Sequence, residues 1–104
     1  MIVIPALFHA QTLWGSGRVH EAAAAFDALL RRWPRHPAAW TSYTHFLTYS
    51  GRAGAAAVFA SDLALRPSGP PRVVLDRWML EARAIATRAP GDIALARAAF
   101  ERLQ

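Results

Sequence analysis

The stretch PAAWTSYTHFLTYSGRAGAAAVFASDLALRP, residues 37–67, reads as two amphipathic helices joined by a glycine turn and bounded by proline on both sides. A helical hairpin of this size cannot bury its apolar faces alone, so it demands further helices packed against it. The sequence supplies them at a regular offset. Thirty-four positions upstream of Gly51-Arg52 stands Gly17-Arg18, Ala56 falls on Ala22, and Ala60-Ser61 falls on Phe26-Asp27 inside another amphipathic run that stops at Pro34. A period in this range marks an array of helical hairpins.

Taken in order, the periodicity predicts six helices. The first begins at Pro5, where a missing N–H costs little because first-turn donors have no intrahelical partner. It gathers Ala6, Leu7, Ala10, Leu13 and Trp14 on one face, leaves Phe8 off that face, and ends at Gly15-Ser16-Gly17. The second, about residues 18–33, carries Val19, Ala22, Ala23, Phe26, Leu30 and Trp33 on one stripe before Pro34 and Pro37 stop it. The third, about residues 38–50, turns Ala39, Trp40, Tyr43, Phe46 and Leu47 inward and leaves Thr41, Thr44, His45 and Thr48 on a face for water or a ligand.

The fourth helix, about residues 53–65, has one stripe of Ala55, Ala56, Phe59, Ala60 and Leu63 and a second of Val58 and Leu65, which predicts burial on two sides. Ser68-Gly69-Pro70-Pro71 is a loop. The fifth helix, about residues 72–88, aligns Val74, Leu75, Trp78, Met79, Ala82, Ile85 and Ala86 and strands Leu80 among polar residues. Asp92 reads as the N-cap of the sixth, whose stripe is Ile93, Ala96, Ala99, Phe100 and Leu103.

Composition agrees with an ordered, all-α chain: 54% of the residues are hydrophobic and 23 are alanine, the strongest helix former. Cysteine is absent, which removes disulfides, thiolate metal ligands and a cysteine nucleophile. All 12 basic residues are arginine and the net charge is +5, a balance that permits contact with phosphates or acidic proteins. The same enrichment in Ala and Arg is what a codon bias toward G and C gives. The apolar opening residues 1–8 lack a basic n-region, and His9 and Gln11 interrupt them well short of the roughly 20 apolar residues that a span needs. No signal peptide or membrane span is expected, and a cytoplasmic location is the default expectation.

The hairpins resemble the tetratricopeptide repeat family over nearly the whole chain. Ala22, Phe26 and Pro34 match the family's second-helix pattern, Ala96 and Phe100 repeat its start in the last hairpin, and Trp40 matches the first-helix tryptophan. Tyr43-Thr44 stand where the family has leucine-glycine, and Phe59 falls one place early. The spacing of Trp40, Tyr43 and Phe46 is also similar to the half-a-tetratricopeptide variant. The resemblance implies a single domain over residues 1–104, built as a right-handed stack of three antiparallel hairpins (about 3–34, 37–67 and 71–104), a six-helix α-solenoid. It also implies a concave face, formed by the first helices of successive hairpins, that grips an extended peptide or a partner helix. By position that face includes Leu7, Gln11, Thr41, His45, Thr48, Tyr49, Arg77 and Glu81. The lysine-asparagine clamp with which one subset of the family holds a terminal carboxylate is excluded, because the chain contains neither residue type.

No catalytic constellation, cofactor motif or metal site is legible. His9, His20, His36 and His45 form no i, i+4 pair, the serines lack a nucleophile motif, and Gly15-Ser16-Gly17 is too short to cradle a phosphate. Arg97 and Glu101 read as a helical ion pair. Arg31, Arg32, Trp33 and Arg35 combine cations with a stacking ring, as nucleic-acid sites do, but a solvated helix end with cations near its negative dipole has the same composition. Apolar residues at both termini lead to the expectation of self-association or docking through an end of the stack. The expected function is a non-enzymatic scaffold or adaptor for another protein; the alternative is a helical-repeat module that binds RNA or DNA.

Overall fold

Two turns set the frame. Gly17 and Gly51 both lie in the left-handed region, with φ of 80° and 86°, a conformation that only glycine adopts without a Cβ penalty. Each closes the helix before it with the same long hydrogen bond: Arg18 N–H donates to Leu13 O at 3.0 Å, and Arg52 N–H donates to Leu47 O at 3.0 Å. Each is followed by the same helix start, with Ala22 N–H on Arg18 O and Ala56 N–H on Arg52 O. The sequence offset is thus repeated in backbone geometry.

The computed structural model describes residues 3–104, and all regular structure among them is helical. Helix α1 spans Val3–Gly15, α2 Val19–Arg32, α3 Pro37–Tyr49, α4 Ala53–Ser61, α5 Arg72–Thr87 and α6 Pro90–Arg102, with a 3-10 turn at Leu63–Leu65. Every helix packs on the next in sequence, and α3 also touches α1 and α5. The Cα radius of gyration is 13.6 Å, close to the roughly 13 Å of a compact chain of about this length. The larger core cluster centres on α1, α2 and α3 around Ala10, Leu13, Phe26, Leu29, Phe46 and Leu47 and reaches Ala56 of α4 and Ala82 of α5, and a second joins α3, α4 and α5 around Trp40, Ala60 and Leu75. Phe26 stacks on Phe46 at 4.7 Å, and the Trp14 ring meets Phe46 edge-on at 5.4 Å.

Several sequence expectations are corrected by this packing. Helix α1 already includes Val3, ahead of Pro5, and the proline is accommodated near its start. The third-helix threonines do not share one solvent face: Thr44 is fully buried and Thr48 is 4% exposed. Because α3 is gripped by α1, α2, α4 and α5, nearly its whole circumference is interior. The hydroxyls of Thr44 and Thr48 then donate to the carbonyls of Trp40 and Thr44 one turn back, at 2.8 and 2.7 Å, so the side chains pack as small apolar groups.

The second stripe of the fourth helix is not buried, and Val58 is 74% exposed. Helix α4 also stops at Ser61 instead of running to Leu65. There the Asp62 carboxylate accepts from Ala64 N–H at 3.0 Å, while Arg66 Nε donates to Ala60 O at 2.8 Å and takes the carbonyl that would have continued the helix. Asp92 is not a cap: α6 starts at Pro90, and Asp92 instead accepts from Thr87 Oγ1 at 2.7 Å. Arg97 and Glu101 do not form an ion pair. Leu29, which the periodicity left off the second stripe, is buried, and Val19, which it included, is exposed.

Candidate functional site between the first, third and fifth helices

The odd-numbered helices lie side by side and, with Phe26 of α2, border an open cavity of about 190 Å³ lined by Gln11, Trp14, Phe26, Thr41, Ser42, His45 and Trp78. His45 of α3 is the centre of the arrangement. The Trp14 ring stands edge-on to it at 5.4 Å from α1, the Trp78 ring stands edge-on at 5.6 Å from α5, and Tyr49, one turn along α3, lies at 4.8 Å. Two indoles therefore wall the imidazole on either side. At the rim Gln11 Nε2 donates to Ser42 Oγ at 3.2 Å, tying α1 to α3. His45 Nδ1 is buried and has no hydrogen-bond partner, an arrangement that costs free energy unless an incoming group supplies one.

No lining residue of the cavity carries a carboxylate or a guanidinium. Charge gathers one step outward on α5, where Arg77 lies 4.0 Å from Glu81 and its guanidinium covers the Trp78 ring at 4.4 Å and approaches Phe100 at 5.5 Å. The Tyr49 hydroxyl is held above its ordinary pKa, first by partial burial and then by the negative Glu81 carboxylate nearby.

Of the residues assigned to a ligand face from the sequence, the structure brings Gln11, Thr41 and His45 into the cavity and sets Tyr49 beside them. Arg77 and Glu81 border a second recess of about 330 Å³ between α5 and α6, shared with Ile93 and Phe100. Leu7 is half-buried against the first core cluster. Thr48 turns the other way, toward Gly54 and Ile85. The residues that sequence reasoning missed are Trp14, Ser42 and Trp78, the two tryptophans having been assigned wholly to apolar stripes. A signal exists for two of them: α1 and α3 each contribute a pair three residues apart, Gln11 with Trp14 and Ser42 with His45, and such pairs share one helix face.

The basic and aromatic patch is divided by the fold. Arg31 and Arg32 end α2, the Arg32 guanidinium sits 5.6 Å from the Trp33 ring, and Trp33 packs half-buried against the first core cluster. Arg35 points elsewhere, its Nε donating to Arg66 O at 2.9 Å. Among the described residues no three histidine, aspartate or glutamate side chains converge as metal ligands, and no helix is long and apolar enough to cross a membrane.

No protein-family model, curated protein or solved structure matches this chain.

Proposed function

We propose that the chain is a tetratricopeptide-like α-solenoid of three hairpins stacked with a right-handed twist, and that it serves as a non-enzymatic scaffold receiving a segment of a partner protein across α1, α3 and α5. The observation that carries this reading is the cavity walled by Trp14, His45 and Trp78. A hole of about 190 Å³ accepts one large side chain, and its walls are the aromatic, uncharged surface from which interface hot spots are built. The contact pattern supports the architecture: helices meet within hairpins, across the α2–α3 and α4–α5 junctions, and between successive odd helices, as a quasi-one-dimensional stack requires. Exposed Ile4 and Phe8 on α1, exposed Ile93 and Phe100 on α6, and Leu103 just after it support additional docking or self-association through the ends.

Affinity purification from the native cell, with and without nuclease, tests the proposal when wild type is compared with Ser42→Arg, which fills the cavity from its rim. Proteins retained after nuclease by wild type and lost with Ser42→Arg are the expected result. Material that disappears with nuclease from both proteins would mean that the chain binds RNA or DNA instead.

A further inference from the structure

A third recess, on a different part of the molecule, has the opposite chemistry to the first. Where the α2–α3 and α4–α5 connections meet, Arg35, Arg66 and Arg72 line a hollow of about 220 Å³ together with Pro67, Pro70 and Leu75. We propose that this hollow binds a single phosphate-type dianion.

The guanidiniums are arranged rather than scattered. Arg66 is only 6% exposed and is anchored by its Nε on Ala60 O at 2.8 Å. Its Nη1 lies 2.7 Å from Asp76 Oδ1, an ion pair approached too obliquely to be a linear hydrogen bond. Arg72 reaches the other oxygen of the same carboxylate at 3.7 Å. Two guanidiniums thus share one carboxylate and the third, Arg35, has none, so of the three positive charges lining the hollow two exceed that single negative charge. Arg35 is the least neutralised: none of the ion pairs among the described residues involves it. With its Nε spent on Arg66 O, its terminal nitrogens are free for a ligand.

Backbone strain points the same way. Arg35 has φ of 64°, the left-handed conformation that glycine would hold more cheaply, yet an arginine occupies it. Helix α5 begins at the same hollow, with no side-chain cap and no acidic residue in its first turn, so its positive end is also uncompensated there. Forked guanidinium donors suit tetrahedral oxyanions, and two net charges suit a dianion. The walls contain no aromatic ring on which a base could stack, which favours a single phosphoryl group over a nucleic-acid strand. Free phosphate and the phosphate of a phosphomonoester present the same group.

The test is titration of the whole chain with inorganic phosphate, and separately with O-phosphoserine, followed by amide chemical shifts at neutral pH. Saturable shifts clustered at Arg35, Arg66 and Arg72 are expected, and about tenfold weaker binding in Arg72→Gln and in Arg35→Gln, the loss from removing one charged hydrogen-bond donor. Arg72 is exposed, so its variant keeps the fold, as its unchanged spectrum elsewhere would show. Tighter binding of O-phosphoserine than of phosphate would assign the ligand to a phosphomonoester, and equal binding to the free ion. Non-saturable shifts, or equal weakening in Arg102→Gln on the remote α6, would overturn the proposal by reducing the effect to diffuse positive charge. Tighter binding of a short single-stranded RNA with shifts spread along the arginines of α2 would overturn it in favour of a strand.

Discussion

Arg66 is a buried cation that ends one helix and tethers another, so Arg66→Met isolates what it does. Methionine keeps the apolar stem and deletes the guanidinium. The Ala60 carbonyl then loses its charged donor and stays buried, at a cost of about 1–3 kcal/mol. The pair with Asp76 contributes about 1 kcal/mol more, discounted because the carboxylate side chain is 32% exposed and keeps Arg72 nearby. Together the loss is about 2–4 kcal/mol, which lowers the urea midpoint by about 1–2 M at unchanged slope. Asp76→Asn removes only the second part and is expected to cost about 1 kcal/mol, and the double variant should be less than additive. A loss below about 1 kcal/mol for Arg66→Met would refute the reasoning, because the guanidinium would then be solvated instead of holding the end of α4.

Three further outcomes follow from the same geometry. Arg88 ends α5 with φ of 56° and no side-chain partner among the described residues, so Arg88→Gly is expected to raise stability by about 0.5–1 kcal/mol in chemical denaturation, whereas Arg35→Gly, which also loses the bond to Arg66 O, is expected to gain nothing. Thr44→Val and Thr48→Val, whose hydroxyls serve only the preceding turn, should each change stability by less than about 1 kcal/mol; a larger loss would mean the hydroxyls do more. Tyr43 and Tyr49 have pKa values raised above 10.0, by burial first and then by Asp27 and Glu81 respectively. The unfolded chain therefore releases these protons first, so their contribution is complete below about pH 10 and is lost as pH rises through the folded values. Urea midpoints should fall in that window, less steeply in Tyr43→Phe, and a flat profile would contradict the assignment.

Much of the fold was legible because it rests on local chemistry. Gly17 and Gly51 close their helices with matching hydrogen bonds, and Ala22, Phe26 and Ala56 occupy interior positions as their spacing implies. What stayed illegible depends on neighbours distant in sequence. Thr44 and Thr48 look polar in a helical projection, but α3 is enclosed on almost every side and their hydroxyls are satisfied within the helix. The early end of α4 is imposed by Arg66 and Asp62, competitors for backbone groups that hydrophobic periodicity does not register. The site was half legible for a related reason. Gln11, Thr41 and His45 are polar residues off the apolar stripes of their helices and stand out in a helical projection, whereas Trp14 and Trp78 serve the core and the cavity at once, and only their placement around His45 separates the two roles.

The central claim is that a partner protein lies across α1, α3 and α5. Its most direct test is a photo-crosslinking amino acid placed singly at Gln11, at Tyr49 and at Val58 in the cell that makes the protein. Val58 is the control, exposed on α4 and outside the cavity. Discrete, nuclease-resistant protein adducts from Gln11 and Tyr49 but not from Val58 are the expected result. The same adducts from all three positions, or adducts that vanish with nuclease, would contradict the account.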